Sequence, residues 1–418
     1  MVRRSAIPVL VALAALVALP APAGATSAVE QLPGGKYAGP VGGKKKVKLR
    51  VAASGARGAV RVPCAGVRSR FRIGDDGSFR ARKRNRRGKV VLRVRGRFAN
   101  LSLARGRVAK LRRGGPRCSR GWFRAKLRNV RGLKRTTVRY GPYHVDPSHG
   151  DHGAGGNVGR NDVAKPCADC YIVAMRPELV DPSGAAVNYA SGAMLHHMVF
   201  INQAREDATC NGPVLGRERF FAAGNERTMF ALPAGYGYRV DSGDTWLTIA
   251  HLMNMGHEPR ELGVEVTFWY VEAPAPLRAA KPFWFDINNC GNSEYTTPAG
   301  LHTAEWELTI PPELSGRVLT VGGHLHDHGV AIALSNVTRG DTVCRSVAGY
   351  GSDPAYAGHI ESMTGCSGDP LASFRTGDQI RVRSTYDSPV EQDDVMGIML
   401  GYVAPGGLSP RRAYAPRS

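Results

Sequence analysis

Apolar and polar positions alternate along much of this chain with a period of two, the mark of half-buried β-strands. Lys89-Val90-Val91-Leu92-Arg93-Val94-Arg95 sets valine and leucine against arginine, and Arg107-Val108-Ala109-Lys110-Leu111 repeats the pattern more weakly. Gly74-Asp75-Asp76-Gly77, just ahead of them, has the composition of a hairpin turn. Residues 167–403 continue as short runs rich in valine, threonine and aromatics, parted by Gly, Pro, Asn and Asp clusters. No long amphipathic helical pattern interrupts them. The chain therefore reads as all-β.

Breaks in this pattern suggest an organisation. Residues 1–25 have the form of a secretory signal peptide, with Arg3 and Arg4, an apolar stretch over residues 9–19, and Ala23-Gly24-Ala25 as the cleavage site. No stretch reaches the ~20 apolar residues of a membrane span. A secreted or cell-envelope-associated protein without a transmembrane segment is expected. Residues 31–43 read as a Gly/Pro-rich spacer and 44–143 as a small basic β-sandwich module. Residues 144–161 read as a polar linker whose His144, His149 and His152 are solvated rather than metal-binding. Val271-Glu272-Ala273-Pro274-Ala275-Pro276 then separates two further domains, 162–274 and 277–405.

Charge sharpens this division. Residues 44–140 hold 34 Lys and Arg against Asp75 and Asp76, a net of +32. The whole chain is +23, so the difference, −9, falls on the remainder. A basic exported module ranks an anionic cell-envelope polymer first as partner, then a merely solvated face, then nucleic acid.

The candidate chemistry lies in the acidic remainder. His196-His197-Met198 closes a strand-like run, and His251 ends Leu247-Thr248-Ile249-Ala250-His251. His324-Leu325-His326 follows Gly322-Gly323, and Met396 lies near the C-terminus. In a strand, residues i and i+2 share a face, so His324 and His326 would point together and His328 would extend the row. His196 and His197 would point apart unless the backbone bends. Taken singly, each of these residues also fits an ordinary core position. Imidazole suits several transition metals, and a thioether points to copper. The set splits at residues 274–276 into His196/His197/His251 and His324/His326/Met396, giving one three-ligand site on each side.

These motifs, in this order, resemble the copper type II, ascorbate-dependent monooxygenases, the family of the peptidylglycine α-hydroxylating and dopamine β-monooxygenases. Leu195-His196-His197-Met198-Val199-Phe200 is similar to the family's His-His-Met strand. Leu232-Pro233-Ala234-Gly235-Tyr236-Gly237-Tyr238, running on to His251, is similar to its Leu-Pro-x-Gly segment and third histidine. His324-Leu325-His326-Asp327-His328-Gly329 is similar to its His-Thr-His segment, and Asp394-Val395-Met396 to its methionine strand. The resemblance spans roughly residues 170–403. It implies two tandem jelly-roll sandwiches and two copper ions. His196, His197 and His251 would hold an electron-transfer copper. His324, His326 and Met396 would hold the catalytic one, with ascorbate or a similar reductant supplying electrons to hydroxylate an aliphatic C–H of a small-molecule substrate.

The chain departs from that family at Gly322, where amidating members place a substrate-binding arginine. It departs again at Ile398 and Leu400, in place of Asn and Tyr, and at Gly397, in place of a cysteine. Peptide amidation is therefore not expected. Gly224-Asn225-Glu226-Arg227, with Trp246 and His251, is also similar to a plant stress-induced nodulin-type family. Of the eight cysteines, Cys64–Cys118 and Cys344–Cys366 are the expected disulfides, while Cys167, Cys170, Cys210 and Cys290 allow three pairings. Two other readings stay open. One is a non-catalytic exported copper-binding protein. The other is a zinc hydrolase using His324, His326, Asp327 and His328.

Overall fold

The computed structural model describes residues 31–42, 45–111, 120–148, 156–210, 216–290, 293–351 and 354–406. The expected signal peptide, Cys118, His149 and His152 lie outside them. Among the described residues the regular structure is strands and short 3₁₀ turns, and no helix is long and apolar enough to cross a membrane.

The basic module is one eight-stranded antiparallel meander curled on itself. Its halves face each other across one core as a sandwich's layers do, without separate sheets. The first strand, Lys36–Val41, pairs with the last, Gly121–Leu127, and an Ile73–Phe79 bridge joins the two outer strands. Alternation drives this closure: Leu92, Val94, Val108 and Phe123 fill the interior, while the intervening arginines and lysines stay in water. The expected boundaries shift at both ends. Lys36–Val41 falls in the supposed spacer yet is a strand, because Tyr37 and Val41 are needed in the core. Lys134–Val145 carries basic residues but pairs with Arg260–Glu272, since Tyr140, Tyr143 and Val145 pack into the next core.

The rest is built around one long sheet. In order, its strands are Gly365–Phe374, Gly316–Leu325, Gln392–Pro405, Arg278–Asp286, Tyr236–Val240, Cys170–Val180, Arg260–Glu272 and Lys134–Val145. Two sandwiches share it, joined where Tyr236–Val240 runs parallel to Arg278–Asp286. A four-stranded sheet of Val158–Arg160, Trp246–Asn254, Ala193–Glu206 and Arg217–Gly224 covers the N-terminal half. A five-stranded sheet of Gly300–Thr309, Gln379–Ser388, Gly329–Asn336, Asp341–Tyr350 and Ile360–Met363 covers the C-terminal half. Val158–Arg160 lies in the expected linker, and His144 pairs with Glu261 at 2.9 Å.

Cystine cross-links fix these layers. Cys344–Cys366 forms as expected, and the undecided four pair as Cys167–Cys170 and Cys210–Cys290. Cys210–Cys290 ties the N-terminal sandwich to the C-terminal one.

Candidate metal centre

The site lies where the outer face of the four-stranded sheet meets the outer face of the long sheet's C-terminal half. On the first face, the central strand Ala193–Glu206 sets His197 directly between Gly224 and His251 on its two neighbours. The strand register shifts between Leu195 and His197, so an irregularity falls at His196. This is the bend the adjacent pair requires: strand bulges re-aim side chains that strict alternation would separate. His196, His197 and His251 are all buried, with ligand nitrogens within 4.8 Å of one another.

The second face is the pair Gly316–Leu325 and Gln392–Pro405. His324 stands opposite Ile398 and Gly322 opposite Leu400, so period-two alternation puts Gly322, His324, Met396, Ile398 and Leu400 on one face. His326 follows the strand's end. Tyr386 fixes its position: the buried phenol accepts the His326 N–H at 2.9 Å and donates to the Met396 carbonyl. His328 does not extend the row. Its φ of +68° belongs to a turn closed by the Gly329 N–H on the His326 carbonyl, 3.0 Å, so alternation has ended. Asp327 is held by His359 Nδ1 at 2.5 Å and the Ile360 N–H at 2.8 Å.

The two trios, distant in sequence, converge. The His196 and His326 rings lie 4.3 Å apart between centroids, as close as His196 lies to His251 at 4.5 Å; His324 and His326 are 5.4 Å apart. The two expected trios are neighbours in one contiguous cluster, because the sandwiches share a sheet and their outer faces meet. Asp394, not picked out from the sequence, joins His196 and His326 within ligand distance.

Two surrounding contacts decide which nitrogens are available. His197 Nε2 meets Asn157 Oδ1 at 2.7 Å, so it is the proton-bearing nitrogen, and Nδ1 is buried without a hydrogen bond. His324 Nδ1 meets Glu226 Oε1 at 3.2 Å, and its Nε2 is likewise buried without a hydrogen bond. Each histidine thus keeps one buried nitrogen without a hydrogen bond while its other nitrogen is held, an arrangement that suits metal-ligating imidazoles. A buried polar atom without a partner is costly, and a metal ion resolves that cost. With a thioether alongside, the donor set fits copper.

Burial pushes the Glu226 carboxyl up, but His324 and the Gly224 N–H bring it below the ordinary glutamate range. Burial, then the nearby His251 and His324, push His197 down from 6.5 to about 3. Metal-free protein is therefore expected to lose stability as pH falls from 6.5 toward about 3, where the unfolded chain takes a proton that folded His197 refuses. The slope is about 1.4 kcal/mol per pH unit for one such histidine. Urea titrations of chelated protein across that range check this; a flat profile contradicts it.

A cavity of ≈ 290 Å³ opens beside His197, His324 and Met396. Val199, Ala222, Trp284, Ile398 and Leu400 form much of its wall. Asn157, Glu226, Tyr386 and Asp394 are the site residues that sequence reading missed. Glu226 carried a signal there, inside the nodulin-like segment, and Asp394 another, inside the methionine-strand motif, both without a role.

Comparisons with known proteins bear on this geometry. Residues 279–405 match the family described as Stress up-regulated Nod 19, a segment that includes His324, His326 and Met396. The probable copper-dependent oxygenase M1 of a Phoma species is 29% identical over 289 residues, covering 64% of this chain and 72% of its own. The probable copper-dependent oxygenase clz3 of Cochliobolus lunatus is 30% identical over 253 residues, covering 56% of this chain and 79% of its own. The major capsid protein P2 of bacteriophage PM2 covers 67% of this chain and all of its own, but at 12% identity and a TM-score of 0.28 it says nothing about this site. With the clz3 match spanning most of that relative, and a buried histidine cluster that fits copper, this chain belongs to the family of the probable copper-dependent oxygenases.

Proposed function

We propose that the chain is an exported copper-dependent monooxygenase that hydroxylates an aliphatic C–H of a small molecule. The observation that carries this reading is the convergence of His196, His197, His251, His324, His326 and Met396 on one buried interface beside a cavity. In the overall reaction R–H and O2, with two electrons and two protons, give R–OH and water; ascorbate or a similar reductant supplies the electrons. Copper, when bound, supplies the redox chemistry that oxidises the C–H bond. The chain's own residues hold the rest in place. Asn157 and Glu226 set the inward nitrogens of His197 and His324, Tyr386 ties the His326 and Met396 backbones, and the cavity wall excludes water.

We retain two copper ions as the loading. His196, His197 and His251 serve one; His324, His326 and Met396 serve the other. Metal analysis together with ascorbate-driven O2 uptake tests the reading. His324→Ala or Met396→Ala is expected to abolish uptake and leave one copper per chain. Full uptake and two coppers in either variant would overturn the assignment, and retention of zinc alone would overturn copper.

We also propose that the basic module docks an anionic cell-envelope polymer. A groove of ≈ 720 Å³ on its outer surface is flanked by Lys36, Lys48, Arg50, Arg61, Arg68 and Arg128. Retention on an anionic cell-wall polymer should fall steeply between low and physiological salt, because exposed charges are screened beyond about 8–10 Å there. Salt-independent retention would contradict this.

A further inference from the structure

We propose that the cavity beside His197 and His324 takes an uncharged, apolar small molecule and selects it by shape; this rests on the oxygenase reading. The wall supplied by Val199, Ala222, Trp284, Ile398 and Leu400 is apolar. The charged groups that reach the wall already have partners within the protein. Arg219 is bound by Asp207 at 2.9 Å and faces Asp286 at 3.9 Å, and Glu226 is held by His324 and the Gly224 N–H. Ser293 spends its hydroxyl proton on Asp286 at 2.8 Å. A carboxylate or ammonium entering the metal-free cavity would lose its water without gaining a free counter-charge, a cost of several kcal/mol.

The size of the space narrows the class. At ≈ 290 Å³ it is roughly twice the ~150 Å³ that takes up a benzene ring, room for about a dozen non-hydrogen atoms. Gly322 is what keeps it open: a methyl placed there would meet nothing nearer than the Phe230 ring at 4.0 Å. The ligand therefore occupies space that a side chain at 322 would fill, directly alongside His324 on the same strand face.

Calorimetric titration of the protein, metal-free and copper-loaded, tests this. The probes are naphthalene as the neutral ligand, hippurate as the anion and phenethylammonium as the cation. Naphthalene is expected to bind in both forms, and neither ion is expected to bind the metal-free protein. Gly322→Ala should weaken naphthalene binding and Gly322→Leu should weaken it about tenfold or more, a loss of ~1.4 kcal/mol. Because a methyl at 322 meets only open space, Gly322→Ala should keep the wild-type thermal midpoint, which separates lost binding from lost folding. Hippurate binding the metal-free protein as tightly as naphthalene, or Gly322→Leu binding naphthalene unchanged, would overturn the proposal. Naphthalene binding by a protein that takes up no copper supports the cavity and removes only the oxygenase reading. Copper-dependent O2 uptake without naphthalene binding removes only the substrate class.

Discussion

Arg219→Met is expected to destabilise the protein by about 3–5 kcal/mol, the cost of leaving a buried charge without its partner. Arg219 is 4% exposed and stands on Arg217–Gly224 in the N-terminal sandwich. Its Nε donates to Asp207 at 2.9 Å, and Nη1 lies 3.9 Å from Asp286 at the end of the C-terminal sandwich's Arg278–Asp286 strand. Its guanidinium also covers the Trp284 ring, 5.0 Å from the centroid. One side chain therefore neutralises a carboxylate from each sandwich, close to the Cys210–Cys290 link. Burial pushes both carboxyls up; Arg219 and local hydrogen bonds bring Asp207 below the ordinary range, while Asp286 stays above it. Methionine keeps much of the bulk and removes the charge. Urea unfolding should show the loss, and adding Asp207→Asn should recover part of it, since one uncompensated charge is then gone. Stability within 1 kcal/mol of wild type in the single variant would show that the cluster holds nothing together.

How much of this was legible in the sequence depends on the range of the interaction. Alternation is local, so the strands around Lys89-Val90 and Leu195-His196 could be read directly. His324 and His326 share a face by the same rule. The His196–His197 pair could be posed only as a problem, because a register shift depends on which strands flank it. Here the flanking residues, Gly224 and His251, lie 27 and 54 positions along from His197. The contact between the two expected trios was invisible for a related reason. No pattern along the chain says that Tyr236–Val240 pairs in parallel with Arg278–Asp286, and that pairing brings the sandwiches' outer faces together. Tyr386 was equally silent, since a buried tyrosine reads as core until its hydroxyl is found bridging two ligand strands. Charge composition misplaced Lys134–Val145 because arginines on the exposed face of a strand say nothing about which core its tyrosines enter.

Gly224→Ala is expected to lower copper affinity about 10- to 100-fold, the range seen when groups that orient metal-ligating histidines are disturbed. Gly224 is the cross-strand neighbour of His197, and its missing side chain leaves the gap that the His324 ring enters from the other sandwich. An alanine methyl would fall 2.5 Å from His324 Cε1 and 2.6 Å from Glu226 Oε2, closer than real Cβ atoms approach. Both groups are packed at the sandwich interface, so the ring must tilt or the carboxylate must leave Nδ1. Either movement redirects the Nε2 lone pair. The effect should therefore appear in the copper(II) electron paramagnetic resonance spectrum as well as in affinity, whereas a loss of general stability alone would leave that spectrum unchanged. Glu226→Gln offers the matching control: the amide oxygen can still accept from Nδ1, so it should change the spectrum less than Glu226→Ala. If Gly224→Ala binds copper as wild type does, with the same spectrum, then His324 is not a ligand aimed through that gap, and the cluster's second face must be reassigned.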